Sequence, residues 1–370
     1  MTTPAVPFVA LALQQGALKA DIMAAVATVL DSGQYVLGPE VEAFERRFAA
    51  LCGASHAVGV DNGTSALILV LRALGIGPGD EVLTPPNSFL ASAAAIALVG
   101  ARPTFVDVRD DLNIDPDLVE VAIGPRTRAI LPVHLTGRPA RMDALGAIAA
   151  RRGLLVIEDA AQAIGARLGG RAAGTFGAAG CFSLHPLKNL GAIGDAGIVV
   201  TADATLAEAL RRARNHGLRS RDDCAAWSVN ARLDPLQGAI LSVKLPHLER
   251  WTAAKRVIAA RYGDALRDVV RVPEERPDEF AVYQTYVVRA ERRDDLQRHL
   301  TQRGVDTRVH YPVPLHLQDA ARDLGYGKGD FPVTERLAGE ILSLPIYPEL
   351  TDAQQEAVVA GVRSFYRGRG

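Results

Sequence analysis

Short apolar runs alternate with longer stretches rich in Ala and Leu through about the first 245 residues. Several runs, such as Leu154–Glu158, are apolar without a polar alternation, which is typical of strands that helices cover on both faces of a sheet. The alternation predicts an α/β domain with a largely parallel sheet. The predicted strands are His56–Val60, Glu81–Thr84, Arg102–Val106, Thr127–His134, Leu154–Glu158, Gly180–Ser183 and Gly197–Thr201, and the predicted helices include Ser65–Leu74, Ser88–Val99, Met142–Arg152 and Leu206–Asn215.

The pattern changes after about Lys244, where apolar residues at helical spacing predict a long helix over Pro235–Val269. The final helix is predicted to begin after Thr351, which forms a capping box with Gln354. Between them we predict a strand over Val282–Val288, a helix over Arg293–Arg303 and a strand over Val305–Tyr311. We therefore expect a large α/β domain with an N-terminal arm over residues 1–245 and a small α+β domain over 246–370.

Composition and charge narrow the class of protein. Lys and Arg number 41 against 42 Asp and Glu, so charge gives no reason to expect nucleic acid or a membrane surface as a partner. Cys52, Cys181 and Cys224 lie far apart, which argues against zinc and against a disulfide scaffold. The apolar run Val6–Leu13 lacks preceding basic residues, which argues against a signal peptide. No apolar stretch approaches the length of a membrane span, which is about 20 residues. We expect a cytoplasmic protein.

The loop DNGTSAL, Asp61–Leu67, lies between a predicted strand and a predicted helix. Gly63 allows close approach of the backbone, and Thr64 and Ser65 supply hydroxyls, as a phosphate site at a helix N-terminus requires. The same residue types also form ordinary helix caps. The spacing matches neither a P-loop nor a dinucleotide-binding fingerprint.

The stretch VIEDAAQAIGA places Glu158 and Asp159 at the end of an apolar strand, where ligand sites of open α/β sheets lie. An acidic side chain there could cap a helix, bind a metal or pair with a cationic ring nitrogen. The metal is the weakest alternative, because no His or Cys cluster lies nearby. Gln162 would lie on the same side of the following turn as Asp159.

Lys188 lies in the stretch FSLHPLKNLGAIGDAG, a loop dense in Gly, Pro and Asn. Most loop lysines are solvated surface residues. The alternative is a lysine that forms a Schiff base, for which burial lowers the pKa of the amine. Composition alone does not decide between the two.

The ordered set NGTSAL, EDAAQAIGA, SLHPLKNLGAIGDAG, NHG and NARLDPLQGAIL strongly resembles the DegT/DnrJ/EryC1/StrS aminotransferases. The similarity continues through VHYPVPLHLQ and LSLPIYPEL, and so covers nearly the whole chain. It implies a fold-type I enzyme dependent on pyridoxal 5'-phosphate (PLP), with a mostly parallel sheet. Members of the family act mostly on keto-sugars, commonly nucleotide sugars.

The resemblance also implies roles for residues that bind the cofactor. Lys188 matches the Schiff-base lysine that shuttles the proton, and Asp159 matches the carboxylate that keeps the pyridine nitrogen protonated, so that the ring acts as an electron sink. Phe89 matches the aromatic residue that stacks on the ring, although alone it would be taken for a core residue. Gln162 matches a residue near the ring hydroxyl, and Gly63, Thr64, Ser65 and Ser183 match the phosphate site.

Asn230 matches an asparagine that reaches the cofactor phosphate from the neighbouring subunit. The resemblance therefore implies a homodimer with shared active sites. A capping asparagine ahead of the helix at Asp234 is an alternative of comparable weight.

The implied reaction is a ping-pong transamination that moves an amino group from an amino acid, with glutamate expected, to a keto-sugar. Lysine at position 188 excludes the family's dehydratases, which have histidine there. Candidate substrate-binding residues are His216, Arg219, Arg221, Arg308, His310 and Tyr311, of which the pair at 310 and 311 is favoured. For each arginine, a solvated surface charge is the alternative.

Leu184, Val229 and Gln284 depart from the commoner family pattern of Phe, Tyr and His. We expect these differences to bear on the substrate and to leave the cofactor chemistry untouched. Two other functions remain open: transamination of a keto-cyclitol or a sugar phosphate, and a non-catalytic PLP-binding regulatory protein.

Overall fold

The computed structural model of the protein describes residues 5–367. Its central feature is a seven-stranded sheet in the order β1-β9-β8-β5-β4-β2-β3. The described residues form fourteen strands, seven of them in this sheet. They are β1 (His56–Val60), β2 (Glu81–Thr84), β3 (Arg102–Phe105), β4 (Thr127–Ile130), β5 (Leu155–Asp159), β6 (Arg167–Leu168), β7 (Arg171–Ala172), β8 (Ala179–Ser183), β9 (Gly197–Thr201), β10 (Leu218–Ser220), β11 (Asp223–Cys224), β12 (Glu279–Phe280), β13 (Tyr286–Arg289) and β14 (Ile341–Leu344).

Twelve α-helices surround these strands within the described residues. They are α1 (Leu11–Ser32), α2 (Pro39–Cys52), α3 (Gly63–Ala73), α4 (Leu90–Leu98), α5 (Pro116–Ala122), α6 (Met142–Arg152), α7 (Ala204–Ala213), α8 (Pro235–Lys244), α9 (Leu248–Leu266), α10 (Arg293–Gln302), α11 (Pro332–Glu340) and α12 (Asp352–Arg367). No helix in this part of the chain combines the length and the hydropathy that a bilayer crossing requires.

The predicted mostly parallel sheet is confirmed. Strand β9 runs antiparallel to both of its neighbours, β1 and β8, and the other four adjacent pairs are parallel. Alternate residues of a strand face opposite sides, and both sides carry a hydrophobic core. Val199 packs in a core with α3, whereas Ile198 and Val200 pack in a core with Phe44 and Phe48 of α2. Helices thus cover both faces of the sheet.

A separate hydrophobic core forms around the antiparallel pair β13 and β14. It is built from buried side chains of α9, α10 and α12, among them Tyr262, Leu300 and Val358. Val6, from the N-terminal segment, joins this core and forms a parallel bridge with Val305. The two ends of the described chain therefore pack together.

Several of the expected elements differ in the structure. The strand predicted over Thr127–His134 ends at Ile130. The predicted helix over Pro235–Val269 is divided into α8 and α9 by a 3-10 turn at Leu245–His247, where Pro246 lacks the N–H that a continuous helix requires. The predicted strand Val305–Tyr311 is wrong, because only Val305 and Arg308 form isolated bridges. The strand predicted over Val282–Val288 begins later, at Tyr286. The capping box at Thr351 is confirmed, because the Gln354 N–H donates to its hydroxyl at 3.3 Å.

Candidate active site

The carboxyl ends of β1, β5 and β8 lie at one edge of the sheet, because these three strands run in the same direction. Gly63 begins α3 just after β1, Asp159 ends β5 and Ser183 ends β8. A Cβ atom placed on Gly63 would lie 2.8 Å from the Cβ of Ser183. Glycine at position 63 therefore allows the N-terminus of α3 to approach the end of β8.

The N-terminus of α3 is built to receive an anion. Asn62 caps the helix, since its Oδ1 accepts the N–H of Ser65 at 2.8 Å. The hydroxyls of Thr64 and Ser65 make no hydrogen bond to any residue in the range 5–367, and the first N–H groups of a helix lack intrahelical partners. Together with Ser183, these donors form a cradle for a phosphate group.

Asp159 is buried, and two donors fix its carboxylate. The Ser92 hydroxyl donates to Oδ2 at 2.7 Å, and the Ala161 N–H donates to Oδ1 at 3.2 Å. The Ser88 hydroxyl in turn donates to that of Ser92 at 3.0 Å. The sequence analysis missed both serines, although their spacing of four residues near Phe89 was a usable signal. Across residues 5–367, no group of three or more His, Cys, Asp or Glu could hold a metal ion.

Glu158, next to Asp159, has a structural role. It is fully buried, and it accepts the N–H groups of Gly174 and Gly177 at 2.7 Å each. The Nε2 of His134 donates to it at 2.9 Å, since the Nδ1 of that ring accepts a backbone N–H. Glu158 therefore ties the end of β5 to the adjacent loop, and Asp159 is left to face the cavity.

Lys188 lies in the loop after β8, and its amine makes no hydrogen bond or ion pair with any residue in the described range. Burial lowers the pKa of this amine, while the charge of Asp159 acts in the opposite direction. A lowered pKa increases the fraction of neutral amine, which is the nucleophilic form. The structure thus favours the buried reactive lysine over the solvated one.

Gln284 holds the backbone on both sides of Lys188. Its Oε1 accepts the N–H of Asn189 at 3.0 Å, and its Nε2 donates to the carbonyl of Leu187 at 2.7 Å. The expectation that the difference at position 284 leaves the cofactor chemistry untouched stays a prediction. The contacts show that residue 284, although distant in sequence, lies against the Lys188 loop.

Two further lysines support the same loop. The Nζ of Lys255 donates to Asn189 Oδ1 at 2.7 Å, and the Nζ of Lys244 donates to the carbonyl of Gly191. Burial lowers the pKa of Lys255 to about 7, against an opposing effect of Glu349. Burial also lowers the pKa of Lys244 to about 8. The sequence analysis did not single out either lysine, because both come from helices beyond the motifs.

Gln162, Phe89 and Tyr311 lie together beside Asp159. The Oε1 of Gln162 accepts the N–H of Thr136 at 2.7 Å, and its Nε2 donates to the Tyr311 hydroxyl at 3.4 Å. The rings of Phe89 and Tyr311 are 5.7 Å apart, yet Phe89 is 53% exposed. An aromatic ring this open to a cavity can stack on a ligand, and it is not the buried core residue of the alternative interpretation.

His310 and Tyr311 line the same side of the cavity. Burial lowers the pKa of His310 to about 4, with Lys188 and Arg308 acting in the same direction. Its Nδ1 lies 2.9 Å from the Ser343 hydroxyl. Burial raises the pKa of Tyr311 to about 12. At neutral pH both side chains are therefore uncharged hydrogen-bonding groups.

These residues surround one cavity of about 670 Å³. The structure brings ten of the fifteen candidate residues to it: Gly63, Thr64, Ser65, Phe89, Asp159, Gln162, Ser183, Lys188, His310 and Tyr311. Arg221 and Arg308 do not line it. The structure also does not bring His216, Arg219 or Asn230 there. These three lie on an exposed segment around the β10–β11 hairpin, where Arg219 is 3.4 Å from Asp223 and Asn215 pairs with Asn230.

A family model described as the DegT/DnrJ/EryC1/StrS aminotransferase family matches residues 17–363. The chain belongs to this family. Membership confirms the aminotransferase class, the PLP cofactor and the fold that the sequence motifs predicted.

Members of the DegT/DnrJ/EryC1/StrS family that resemble this chain align over almost its whole length. A Streptomyces venezuelae protein named dTDP-3-amino-3,4,6-trideoxy-α-D-glucose transaminase is 48% identical, covering 98% of this chain and 97% of its own. A Geobacillus stearothermophilus protein named pleiotropic regulatory protein is 46% identical, covering 98% and 99%. The crystal structure of S. venezuelae DesV superposes with a TM-score of 0.96 at 48% identity, covering 98% of this chain and 99% of DesV.

The cavity fits the cofactor of this aminotransferase family. The unpartnered amine of Lys188 suits an aldehyde, and the carboxylate of Asp159 suits a protonated pyridine nitrogen. Glycine at position 63 keeps the phosphate cradle open, because a side chain there would fill it. The open ring face of Phe89 suits an aromatic ligand. Each chemical feature of PLP therefore has a matching group among the residues that line the cavity.

Proposed function

We propose that the protein transfers an amino group from an amino acid, with L-glutamate as the donor, to a nucleotide-linked ketohexose. The observation that carries the proposal is the unpartnered Lys188 amine in one cavity with the buried Asp159 carboxylate and the free donors of α3. The relative named as a dTDP-amino-sugar transaminase, at 48% identity, supports the choice of a nucleotide sugar.

In this proposal each group has a defined task. PLP supplies an electron sink that stabilises negative charge on the substrate carbon. Lys188 would hold the cofactor aldehyde and, once released from it, accept and return the proton of the substrate carbon. Asp159, held by Ser92, would keep the ring nitrogen protonated, and Gly63, Thr64, Ser65 and Ser183 would bind the phosphate. Gln162 would contact the ring hydroxyl and Phe89 would stack on the ring.

The alternative acceptors are a keto-cyclitol and a sugar phosphate, to which the same chemistry would transfer the amino group. A non-catalytic regulatory protein is the third candidate, and one relative carries a regulatory name. Against it, the cavity keeps the reactive amine, the buried acid and the phosphate cradle together, which a protein without turnover does not require.

Absorbance of the holoenzyme tests the proposal. A PLP-loaded protein absorbs in the visible, and glutamate should bleach that band by converting the cofactor to its amine form. A panel of dTDP-linked, UDP-linked and unlinked keto-sugars and keto-cyclitols should then restore it with the true acceptor. Lys188→Ala should abolish the visible band, and retained colour would show that another lysine holds the cofactor. A spectrum unchanged by glutamate, glutamine and aspartate would contradict amino transfer.

We also propose a cytoplasmic homodimer in which Asn230 reaches the partner's active site. Trp227 is 97% exposed and Val229 is 41% exposed on the segment that carries Asn230. Two exposed apolar side chains on one segment are consistent with a patch that a partner covers. The three free cysteines suit a reducing compartment. The proposed domain boundary, residues 1–245 against 246–370, is supported by the separate core around β13 and β14.

A further inference from the structure

One lobe of the active-site cavity is lined by residues to which the sequence analysis assigned no role. It lies beside the Lys188 loop, because Lys255 contacts Asn189. We call it the Lys255 lobe, and its residues are Trp251, Thr252 and Lys255 from α9 and Tyr347, Pro348 and Glu349 from the segment after β14. The proposed roles of the cofactor-binding residues leave this lobe without a ligand.

Lys255 brings unused hydrogen-bond donors to the lobe. The residue is 6% exposed, and its amine makes one hydrogen bond, to Asn189, of the three that an ammonium group can donate. No carboxylate of the described residues lies within 4 Å of it. Burial disfavours the ammonium form of this amine, and an anion that arrives with a substrate would pair with that form and stabilise it.

Tyr347 adds a second, independent donor. Its side chain is 6% exposed, and its hydroxyl is buried without a hydrogen-bond partner among residues 5–367. Leaving a buried hydroxyl unsatisfied costs about 1–3 kcal/mol. The cost is recovered if a ligand in the same cavity accepts the hydrogen bond.

The other charges of the cavity restrict the choice of ligand. Among the described residues, the basic side chains that line the cavity are Lys188, Lys255 and two histidines, and no arginine lines it. Lys188 is engaged by the cofactor aldehyde in the proposed function, and the lowered pKa of His310 leaves that ring neutral. Glu349 is the competing acid of the lobe, and burial raises the pKa of its carboxyl group. Lys255 is therefore the buried cation that remains for an anionic substrate group.

We propose that Lys255 and Tyr347 bind a carboxylate of the amino donor. Every amino acid donor carries a carboxylate beside its amine, whichever keto-sugar is the acceptor. An ammonium and a phenol hydroxyl supply charge-assisted hydrogen bonds to it. The inference rests on the proposed function and specifies which residues of this chain select an amino acid as the first substrate.

The test is the reaction of the PLP-loaded holoenzyme with L-glutamate, followed by stopped-flow absorbance over a range of glutamate concentrations. Lys255→Met should raise the half-saturating concentration by about 10- to 100-fold, as expected for a lost hydrogen bond to a charged group. Tyr347→Phe should raise it by about 3- to 10-fold. In both variants the limiting rate should stay near that of the wild type. Lys255→Arg should restore most of the affinity.

Tyr286→Phe is the matched control, because the Tyr286 hydroxyl is also buried and unpartnered but does not line the cavity. It should leave the half-saturating concentration unchanged. Glutarate, which has two carboxylates and no amine, should inhibit the wild type more strongly than Lys255→Met. The amino sugar dTDP-3-amino-3,4,6-trideoxy-α-D-glucose, used as the donor in place of glutamate, should react with wild type and Lys255→Met alike.

Two results would overturn the inference. An unchanged half-saturating concentration with a lower limiting rate for both donors would show that Lys255 acts only through Asn189 on the Lys188 loop. A loss confined to the amino sugar would assign the lobe to the sugar. A wild-type holoenzyme that reacts with no amino acid would instead contradict the proposed function itself, so the two failures are distinguishable. If Lys255→Met does not fold, the pair Tyr347→Phe and Tyr286→Phe decides the question.

Discussion

Gln284 holds the two peptide groups that flank Lys188, and its truncation tests whether the loop must be fixed for catalysis. Gln284→Ala removes the bonds to Asn189 N–H and to the Leu187 carbonyl, at 3.0 and 2.7 Å. Each contributes about 0.5–1.5 kcal/mol, so the two together contribute about 1–3 kcal/mol. If the whole loss adds to the activation free energy of the proton transfer by Lys188, the limiting rate falls by about 5- to 150-fold.

The assay is the single-turnover bleaching of the visible band by saturating glutamate, with thermal unfolding measured in parallel. Gln237→Ala is the matched control, because Gln237 makes the same pair of bonds, at 2.9 and 2.5 Å, to the N–H and carbonyl of Ile193 further along the loop. It should lower the melting temperature similarly and slow the reaction much less. Gln284→His should restore most of the rate, since a neutral imidazole also offers one donor and one acceptor.

The two variants together separate an effect on the position of Lys188 from an effect on the stability of the fold. If Gln284→Ala reacts within about twofold of the wild type while its melting temperature falls as in Gln237→Ala, the reasoning is refuted, because the bonds then contribute only to folding. Equal slowing by both variants would also refute it.

Two other predictions concern assembly and pH. Mixing Lys188→Ala chains with Asn230→Ala chains should give about a quarter of the wild-type activity. The reason is that half of the randomly formed dimers are mixed, and each mixed dimer has one intact site of two. Activity no higher than the average of the separate variants would contradict shared sites. For pH, the pKa of Lys255 is about 7 in the folded chain, below the ordinary value of an exposed lysine, so the unfolded chain binds more protons between these values. Wild type should therefore gain stability relative to Lys255→Met as pH rises from 7 to about 10, measured by urea unfolding. Parallel curves would contradict the lowered pKa of Lys255.

The large sheet was predictable because its strands have strong local patterns. His56–Val60, Glu81–Thr84 and Gly197–Thr201 were predicted with the bounds that the structure has. The segment Val305–Tyr311 has similar apolar residues but no neighbouring strand along its length, and only two of its residues form bridges. Strand formation there depends on tertiary pairing, which local sequence does not report.

The candidate site was predictable where its residues lie in continuous motifs. The roles of Asp159, Lys188 and the loop at Gly63 were implied by the family resemblance, which their motifs carry. The sequence did not indicate that Gln284, Lys255 and Tyr347 lie near Lys188, because they reach this cavity only after the chain folds back on itself. Contacts of this kind leave no periodic signal in the sequence, so polar residues that complete a site from distant segments require the structure.

The cavity draws its walls from nearly the whole length of the chain, from Phe8 to Glu349. During synthesis, Lys188 leaves the ribosome long before Tyr311 and Tyr347 exist, and domains fold from the N-terminus as they emerge. The part of the wall that these two tyrosines supply is therefore missing when Lys188 emerges. The complete cavity can form only after the segment that carries Tyr347 and Glu349 has been translated.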